Sequence, residues 1–288
     1  MNLNKISSYE EYIIHTKRNL PNHLKALEIE QKIQQQVEQE GEVKIQGYSW
    51  PAQSESTFLI DKLYAPEGEI NFRERLVCEK TEMYNRIRGS IHIFEDYFKA
   101  NINDSIYLTE QCTMLGKWMQ NKYPNIKCSE YLTGVSEEKK EHMNHYIAPF
   151  TLKHQDLTNL SFDDETFKFI LSFDCFEHIP DYKKAFKECF RVLKPKGKII
   201  WSVPFDINNQ KNLVRAELNS DGSIKHHTEP EYHGNPLSDD GCLSFYTFGW
   251  ELLEQLKEMG YSKTYALLYW SKKYAYLGGE QVLLCAEK

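Results

Sequence analysis

Four of the ten histidines lie in two stretches whose surroundings predict proton-transfer chemistry. The first stretch, DCFEHIPD, contains His178 shortly after a run of apolar residues. The second is a polar segment over residues 206–245 that contains His226, His227 and His233. An imidazole titrates near neutral pH, so each of these histidines is a candidate for taking a proton from a hydroxyl group. His233 is the first candidate, His178 the second, and the pair His226 and His227 the third; the alternative is that they only hold the segment by hydrogen bonds.

The elements that position the first stretch are clear from its flanks. Residues 167–173 form an apolar run rich in β-formers, which is typical of a buried strand in a parallel sheet. Asp181 can cap a following helix whose apolar residues recur at steps of three and four. Residues 198–203 are the next strand, so the segment predicts a β-α-β unit with a right-handed crossover. Ligands of such sheets bind at the carboxyl ends of the strands, where residues 174–178 would lie.

Carboxylates follow two further predicted strands. Residues 105–109 precede Glu110, and Glu130 lies at the end of the strand predicted over residues 126–132. A carboxylate at the end of the second strand accepts hydrogen bonds from the two ribose hydroxyls of a nucleotide in this kind of fold. We therefore expect Glu130 to bind ribose; the alternative is an ordinary surface charge.

A family resemblance rests on DCFEHIPD followed by LKPKG and a hydrophobic strand. At this spacing the combination resembles the core of the class I S-adenosylmethionine (SAM) methyltransferases. The resemblance covers about residues 45–288 and includes the phrases HTEPEYHGNP and GCLSFYTFGWELL. It implies an α/β fold with a Rossmann-like, seven-stranded, doubly wound sheet, an N-terminal α+β appendage and a lid insertion. It also implies SAM as the cofactor.

The first predicted loop departs from most of that family. The usual G-x-G-x-G loop lets backbone amides approach SAM, but this chain has EQCTMLGKW with the single glycine Gly116. The loop is similar to that of a type 11-like bacterial subfamily that has T-E-Q here. The resemblance implies cofactor contacts from Glu110, Gln111, Glu130, Tyr131, Asp156, Leu157, Phe173, Asp174, His178 and Arg88. For Arg88 the alternative is a salt-bridged helix start, and Asp156 can cap a turn while it borders the adenine.

The predicted domains are an N-terminal segment over residues 1–100 and a methyltransferase domain over 101–288, with the lid over 206–245. A helix predicted over residues 9–40 either lies on the main domain or pairs with a second copy in a homodimer. The N-terminal segment resembles a pair of zinc knuckles, with a turn at residues 66–68 between them. The four ligand positions are Tyr48, Pro51, Cys78 and Thr81, and a single thiolate is too few for structural zinc, so we predict no metal there.

Composition excludes several classes of protein. With 35 Lys and Arg against 42 Asp and Glu, the net charge is −7, which does not predict a broad nucleic-acid surface. The sequence has no apolar run long enough to span a bilayer and no signal-peptide core near its start. Its seven cysteines form no C-x-x-C pair, which favours reduced thiols. We expect a cytoplasmic protein.

The resemblance predicts a SAM-dependent methyltransferase that methylates an oxygen of a sugar, a glycan or another small polar acceptor. Aromatic residues in and near the lid suit the apolar faces of a pyranose, although Phe248, Trp250, Leu252 and Leu253 are expected to be core. A SAM-independent binding module on the same fold is the alternative, because the first loop lacks its glycines. A nicotinamide-dependent oxidoreductase is disfavoured by the missing G-x-G-x-x-G.

Overall fold

The computed structural model describes residues 1–65 and 69–288, so the predicted turn at Pro66, Glu67 and Gly68 lies outside the described residues. The described chain forms two compact units. The first comprises residues 1–6, 10–101 and 266–283, and the second comprises residues 7–9, 102–265 and 284–288. The predicted division into residues 1–100 and 101–288 stays a prediction about domains. Among the helices of the described residues, none is both long and apolar enough to cross a membrane.

The first unit starts with a strand and a long helix and continues into a small antiparallel sheet. Its elements are β1 (Asn2–Ile6), α1 (Tyr9–Glu40), β2 (Glu42–Ser49), β3 (Ser54–Asp61), β4 (Val77–Cys78) and α2 (Asn85–His92), which a π-helical turn (Ile93–Tyr97) follows. Ile33 and Val37 of α1 belong to the same buried cluster as Phe58 and Ile60 of β3. The long helix therefore packs against the small sheet of this unit, while its pairing with a second copy stays a prediction.

A buried carboxylate joins α1 to a distant turn of the first unit. Glu30 is 8% exposed, and its carboxylate accepts hydrogen bonds from the backbone N–H groups of Gly278 at 2.7 Å and Gly279 at 3.0 Å. The indole N–H of Trp270 donates to the same carboxylate at 2.9 Å. One side chain thus satisfies three donors that residues 266–283 present to the helix.

Hydroxyl groups surround the thiol at one of the knuckle positions. Cys78 is buried, and its Sγ lies 3.3 Å from Ser49 Oγ and 3.2 Å from Ser56 Oγ. Burial alone would raise the pKa of this thiol, but hydrogen bonds from the two serines, from Thr81 and from the backbone at Lys80 outweigh it and lower the pKa to about 7. The metal-free knuckle remains a prediction.

His92 is enclosed by aromatic rings in the same unit. Its ring stacks on Trp50 with centroids 4.0 Å apart and meets Tyr274 edge-on at 4.5 Å. Nδ1 lies 3.3 Å from the hydroxyl of Tyr276, and Nε2 lies 3.9 Å from Asp96. Burial lowers the pKa of His92 to about 4, despite the opposing effect of the Asp96 carboxylate. The fold therefore favours the neutral imidazole.

We expect acid to destabilise the first unit through His92. The folded pKa of about 4 lies below the unfolded value near 6.5, so this stabilisation is complete above pH of about 6.5 and is lost as pH falls towards 4. The loss amounts to at most about 3 kcal/mol in the free energy of unfolding. Urea unfolding between pH 7.5 and 4.5 should show a shallower acid dependence for His92→Phe. The same substitution at the exposed His142 should leave the dependence unchanged, and equal dependence in all three proteins would contradict the prediction.

The second unit contains the predicted β-α-β segment and its neighbours. Its elements are β5 (Ile106–Leu108), α3 (Met114–Lys122), β6 (Ile126–Cys128), α4 (Glu137–Ile147), β7 (Phe167–Phe173), a 3-10 turn (Phe176–His178), α5 (Tyr182–Val192) and β8 (Leu193–Ser202). The side chains of Thr113, Ser136 and Asp181 accept a backbone N–H in the first turn of α3, α4 and α5. Asp181 thus caps α5 as predicted.

Residues 206–245 form short hairpins where the sequence predicts one long polar loop. The elements from here to the C-terminal strands are β9 (Leu213–Val214), β10 (Ala216–Leu218), β11 (Ile224–His226), β12 (Tyr232–Asn235), β13 (Ser238–Leu243), β14 (Tyr246–Thr247), α6 (Glu251–Glu258), β15 (Lys263–Ser271) and β16 (Tyr276–Glu287). Strand β10 pairs with β11, β12 with β13, and β14 with β9. We call residues 206–245 the insertion. The four residues expected to be core near α6 are buried, namely Phe248, Trp250, Leu252 and Leu253.

The central sheet has seven strands in the order β1-β15-β16-β8-β7-β5-β6. Strands β6, β5, β7 and β8 run parallel, whereas β16 is antiparallel to β8 and β1 is antiparallel to β15. The expected Rossmann-like sheet of a class I methyltransferase is confirmed, with two differences in its strands. The third strand predicted before His154 is only a single parallel bridge between Glu130 and His154. The seventh strand is instead β1, which the sequence did not predict.

Candidate active site

Polar residues follow three adjacent parallel strands at the same edge of the sheet. Gln111 comes after β5, Glu130 after β6, and Asp174 after β7. Because β6, β5 and β7 are parallel neighbours, their carboxyl ends bring these residues to one edge. This is the edge at which open α/β sheets bind their ligands.

Glu130 holds the first loop with one of its two carboxylate oxygens. Oε1 accepts hydrogen bonds from the backbone N–H groups of Gln111 and Cys112, each at 2.7 Å. Neither of these N–H groups contacts the other oxygen, Oε2. Burial raises the pKa of this carboxyl, while the two N–H groups and the Cys112 side chain act in the opposite direction. Glu130 therefore anchors the loop through Oε1.

The side chain of Gln111 braces the loop that takes the place of the glycine-rich one. It is 2% exposed, and its amide donates to Gln120 Oε1 and to the carbonyl of Thr151, both at 3.0 Å. Its oxygen accepts the N–H of Lys153 at 2.9 Å. The side-chain amide and oxygen of Gln111 are thus both bonded within the protein. Glu110, next to it, is half-buried.

Gly116 explains how this loop can lie so close to α3. A Cβ atom at Gly116 would lie 2.6 Å from the carbonyl oxygen of Gln111 and 2.9 Å from its Cα. Both are backbone atoms, so the loop itself would have to move to make room. The single glycine of EQCTMLGKW therefore permits close backbone packing, a role that the sequence did not predict.

We expect Gly116→Ala to weaken cofactor binding by displacing the loop. The overlap with Gln111 should cost about 1–3 kcal/mol in stability and weaken S-adenosylhomocysteine binding about tenfold or more. Calorimetric titration of the variant against the wild type measures the second effect. Gly134→Ala is the control, because a Cβ atom at Gly134 would enter open space. Its positive φ of 79° makes a small loss of stability expected in this control. Unchanged affinity in Gly116→Ala would contradict the proposed loop role.

Asp174 ties the ends of β7 and β8 together. Its backbone N–H donates to the carbonyl of Ser202 at 2.9 Å, and the Ser202 hydroxyl donates to Asp174 Oδ1 at 2.7 Å. The residue has a positive φ of 49°, so the chain turns sharply as it leaves the strand. The turn brings the next residues, through His178, back over the strand edge.

Three side chains converge just beyond this turn. His178 Nε2 lies 3.7 Å and His233 Nδ1 lies 3.4 Å from the same oxygen of Glu177, whose side chain is fully buried. The two imidazole rings meet edge to face with centroids 4.9 Å apart. The carboxylates of Glu177 and then Glu231 raise the pKa of His233 to about 9, although burial lowers it. The sequence predicted both histidines but missed Glu177, which the 3-10 turn directs inward.

The other site residues predicted from the sequence differ from one another in burial and in contacts. Asp156 Oδ1 accepts hydrogen bonds from the N–H and hydroxyl of Thr158, both at 2.8 Å, so it closes a turn at this edge. Leu157 and Phe173 are buried, whereas Tyr131 is 57% exposed. His226 is exposed on β11.

Arg88 lies inside the first unit. Its guanidinium donates to the backbone carbonyls of Leu76, Tyr274 and Ala275 at 2.7 to 3.2 Å. Burial lowers its pKa to about 10. These contacts occupy the guanidinium within that unit, and a cofactor contact of Arg88 stays a prediction.

Residues 111–201 match the family model described as a methyltransferase domain. Among curated proteins, a demethylmenaquinone methyltransferase of Staphylococcus haemolyticus is 40% identical over 25% of this chain and 28% of its own length. Phosphoethanolamine N-methyltransferase 2 of Caenorhabditis elegans is 33% identical over 24% of this chain and 14% of its own. The chain thus aligns with less than a third of these two relatives.

The chain is also similar, at low sequence identity and low TM-score, to solved structures of methyltransferases. A Burkholderia thailandensis 1,6-didemethyltoxoflavin-N1-methyltransferase, solved with S-adenosylhomocysteine, has a TM-score of 0.41 and 14% identity over 70% of this chain and 77% of its own. A SAM-dependent methyltransferase of Mesorhizobium loti has a TM-score of 0.41 and 11% identity over 70% of this chain and 100% of its own. Glu130, Asp174, Glu177 and His178 lie in the stretch of chain that matches a methyltransferase domain.

Proposed function

We propose that the protein is a SAM-dependent methyltransferase that uses the carboxyl edge of its parallel strands. The observation that carries the proposal is Glu130, which holds the loop after β5 with Oε1 and leaves Oε2 for the ribose hydroxyls. It does so within the segment that matches a methyltransferase domain. Asp156, Leu157 and Phe173, at or near the same edge, are proposed to border the adenosine.

The charge of the edge fits a sulfonium ligand. Glu110, Glu130 and Asp174 follow adjacent strands, and Glu177 lies just beyond Asp174. Carboxylates attract a positively charged sulfur and repel the diphosphate of a nicotinamide cofactor. When bound, SAM supplies a methyl group for in-line transfer to an acceptor. Residues at the strand edge would orient SAM and the methyl acceptor, and such orientation is the main contribution of a protein to this transfer.

We further propose that the acceptor is a small polar molecule methylated on oxygen, and that a sugar is the first candidate. Tyr232 is 58% exposed beside His233, and the insertion also carries the exposed Asp239 and Asp240. The aromatic residues Phe245 and Trp250 in and near the insertion are buried, which leaves Tyr232 and the half-buried Tyr246 for stacking.

Loss of the acceptor's proton is assigned to the group formed by Glu177, His178 and His233. Both ring nitrogens of His233 already face carboxylates, Glu177 at 3.4 Å and Glu231 at 2.9 Å. This favours joint action of the three side chains over His233 as a lone general base. His226, exposed on its own hairpin, is the remaining candidate from the sequence.

Two measurements test the proposal in order. Calorimetric titration with S-adenosylhomocysteine should show binding of one equivalent, and a well-folded protein that binds none would favour the binding-module alternative. Transfer from methyl-labelled SAM should then be assayed on simple glycosides, phosphoethanolamine and a demethylmenaquinone analogue. Transfer to the glycosides supports the acceptor class, whereas transfer only to either of the other two would contradict it and leave the cofactor proposal intact.

A further inference from the structure

The carboxylate of Glu177 is buried in an unusual electrostatic setting. Its side chain is 0% exposed, and neither oxygen makes a hydrogen bond to a described residue. The nearest polar atoms of partner side chains are His233 Nδ1 at 3.4 Å and His178 Nε2 at 3.7 Å. A buried carboxylate is costly unless a positive charge or a set of donors compensates it.

The hydrogen bonds made by the outer nitrogens of the two histidines determine which ring nitrogens carry protons. Nδ1 of His178 lies 2.8 Å from the backbone carbonyl of Leu243, an atom that only accepts, so Nδ1 carries the proton. Nε2 of His233 lies 2.9 Å from a carboxylate oxygen of Glu231 and carries its proton in the same way. When the two histidines are neutral, the state in which an imidazole ligates a metal ion, these contacts leave lone pairs on the inward atoms. Without an ion, the carboxylates of Glu177 and Glu231 favour a second proton on His233.

In the neutral state, three potential ligand atoms face one another. The ligand atoms offered by Glu177, His178 and His233 all lie within 4.8 Å of one another. The 3.4 and 3.7 Å separations are longer than hydrogen bonds of this type. They approach the spacing of about 3.3–3.4 Å between ligands that a tetrahedral ion with bonds of about 2.0–2.1 Å produces.

We propose that Glu177, His178 and His233 bind a divalent transition-metal ion such as Zn²⁺ or Fe²⁺. Two imidazoles and one carboxylate suit such ions and leave coordination positions open, whereas Mg²⁺ and Ca²⁺ prefer oxygen ligands. The supporting contacts are those of a metal site, in which each ligating histidine donates its other N–H to a carbonyl or carboxylate. Glu231 is itself held by Arg215 at 2.9 Å.

A second group of the same composition in the first unit provides an internal contrast. His15, His23 and Glu280 also come together, but His15 Nε2 lies 2.8 Å and His23 Nε2 lies 3.1 Å from Glu280 Oε2. The amide of Asn19 donates to His15 Nδ1 at 2.9 Å, which places the His15 proton on Nε2, facing the carboxylate. Donors and acceptors are matched there, so this group is complete without an ion.

The role of the ion in the reaction rests on the proposed function. Its open positions would bind an oxygen of the acceptor, and a bound cation lowers the pKa of a coordinated hydroxyl. The acceptor class is thereby narrowed to molecules with a hydroxyl that can coordinate a metal. Metal binding itself does not depend on methyl transfer and can be measured alone.

The experiment titrates chelator-treated, full-length protein with Co²⁺ and follows the visible absorption of the bound ion. We expect one high-affinity equivalent in the wild type. His178→Ala and His233→Ala should bind at least a hundredfold more weakly, and Glu177→Gln, which preserves the buried volume, at least tenfold more weakly. His227→Ala is the matched control from the insertion, and His15→Ala tests the second group; both should bind as the wild type does. Mg²⁺ in excess should not displace Co²⁺.

The outcomes separate the alternatives. No Co²⁺ binding by a folded wild type, or binding that survives both His178→Ala and His233→Ala, would overturn the proposal. Loss of binding in His15→Ala alone would assign the ion to the first unit and overturn it as well. Thermal unfolding checks each fold, and Glu177→Gln decides the matter if a histidine variant does not fold. Titration of the same samples with S-adenosylhomocysteine shows separately whether the cofactor proposal holds.

Discussion

Glu130→Ala is expected to weaken S-adenosylhomocysteine binding by about a hundredfold or more, whereas Glu130→Gln should weaken it by about tenfold. Alanine removes both the anchor of the loop and the proposed ribose acceptor. Each hydrogen bond to a charged group contributes about 1.5–3 kcal/mol, and each 1.4 kcal/mol changes affinity tenfold. Glutamine can still accept the N–H groups of Gln111 and Cys112 through its oxygen, but it turns an amide towards the ribose.

Calorimetry on the three proteins measures this difference directly. Glu138→Ala, an exposed carboxylate eight residues further along the chain, is the control for loss of charge and should bind as the wild type does. If the alanine and glutamine variants bind with equal affinity, the loop-anchoring and ribose-binding roles of Glu130 are not distinct. Wild-type affinity in Glu130→Ala would remove the observation on which the proposed cofactor site depends.

Glu30→Ala should lower the free energy of unfolding of the first unit by about 2–3 kcal/mol. The substitution leaves the N–H groups of Gly278 and Gly279 and the indole N–H of Trp270 without their acceptor. An unsatisfied buried donor costs about 1–3 kcal/mol, and water can reach part of this turn because Gly278 is exposed. The loss of unfolding free energy should therefore be smaller than the summed cost of three unsatisfied buried donors.

Urea unfolding monitored by tryptophan fluorescence provides the measurement. Glu28→Ala changes an exposed glutamate on the same helix and should change stability by less than about 0.5 kcal/mol. Glu30→Gln keeps an acceptor oxygen, so its stability should lie between those of Glu28→Ala and Glu30→Ala. A Glu30→Ala protein as stable as Glu28→Ala would show that the turn at residues 278–279 does not depend on α1.

Local patterns predicted those elements whose apolar residues follow one clear period. Strand β7 has the predicted bounds Phe167–Phe173, and α1 has the predicted bounds Tyr9–Glu40. Strand β1 escaped prediction because it carries few apolar residues and gains its place only by pairing with β15. The hairpins of the insertion escaped for the same reason, since they are short, polar and mostly exposed.

The residues of the candidate site could likewise be predicted only where neighbouring residues in the sequence indicate their position. Glu130 and His178 could be predicted because they follow recognisable strands. Arg88 seemed to stand at the start of a helix, but α2 begins at Asn85, which places Arg88 within the helix and buries it. Glu177 was missed because nothing in the sequence shows that His233, more than fifty residues later, returns to face it.

Strand β1 joins two segments that are far apart in the sequence. Residues Asn2–Ile6 pair in register with Trp270–Ala266, so about 260 residues separate the two partners. Without β1, strand β15 would present an open sheet edge of the kind that joins other molecules. Pairing over such a separation is also slow to form, because a very long loop must close first. We therefore expect deletion of residues 2–6 to reduce soluble yield more than a comparable deletion in an exposed loop.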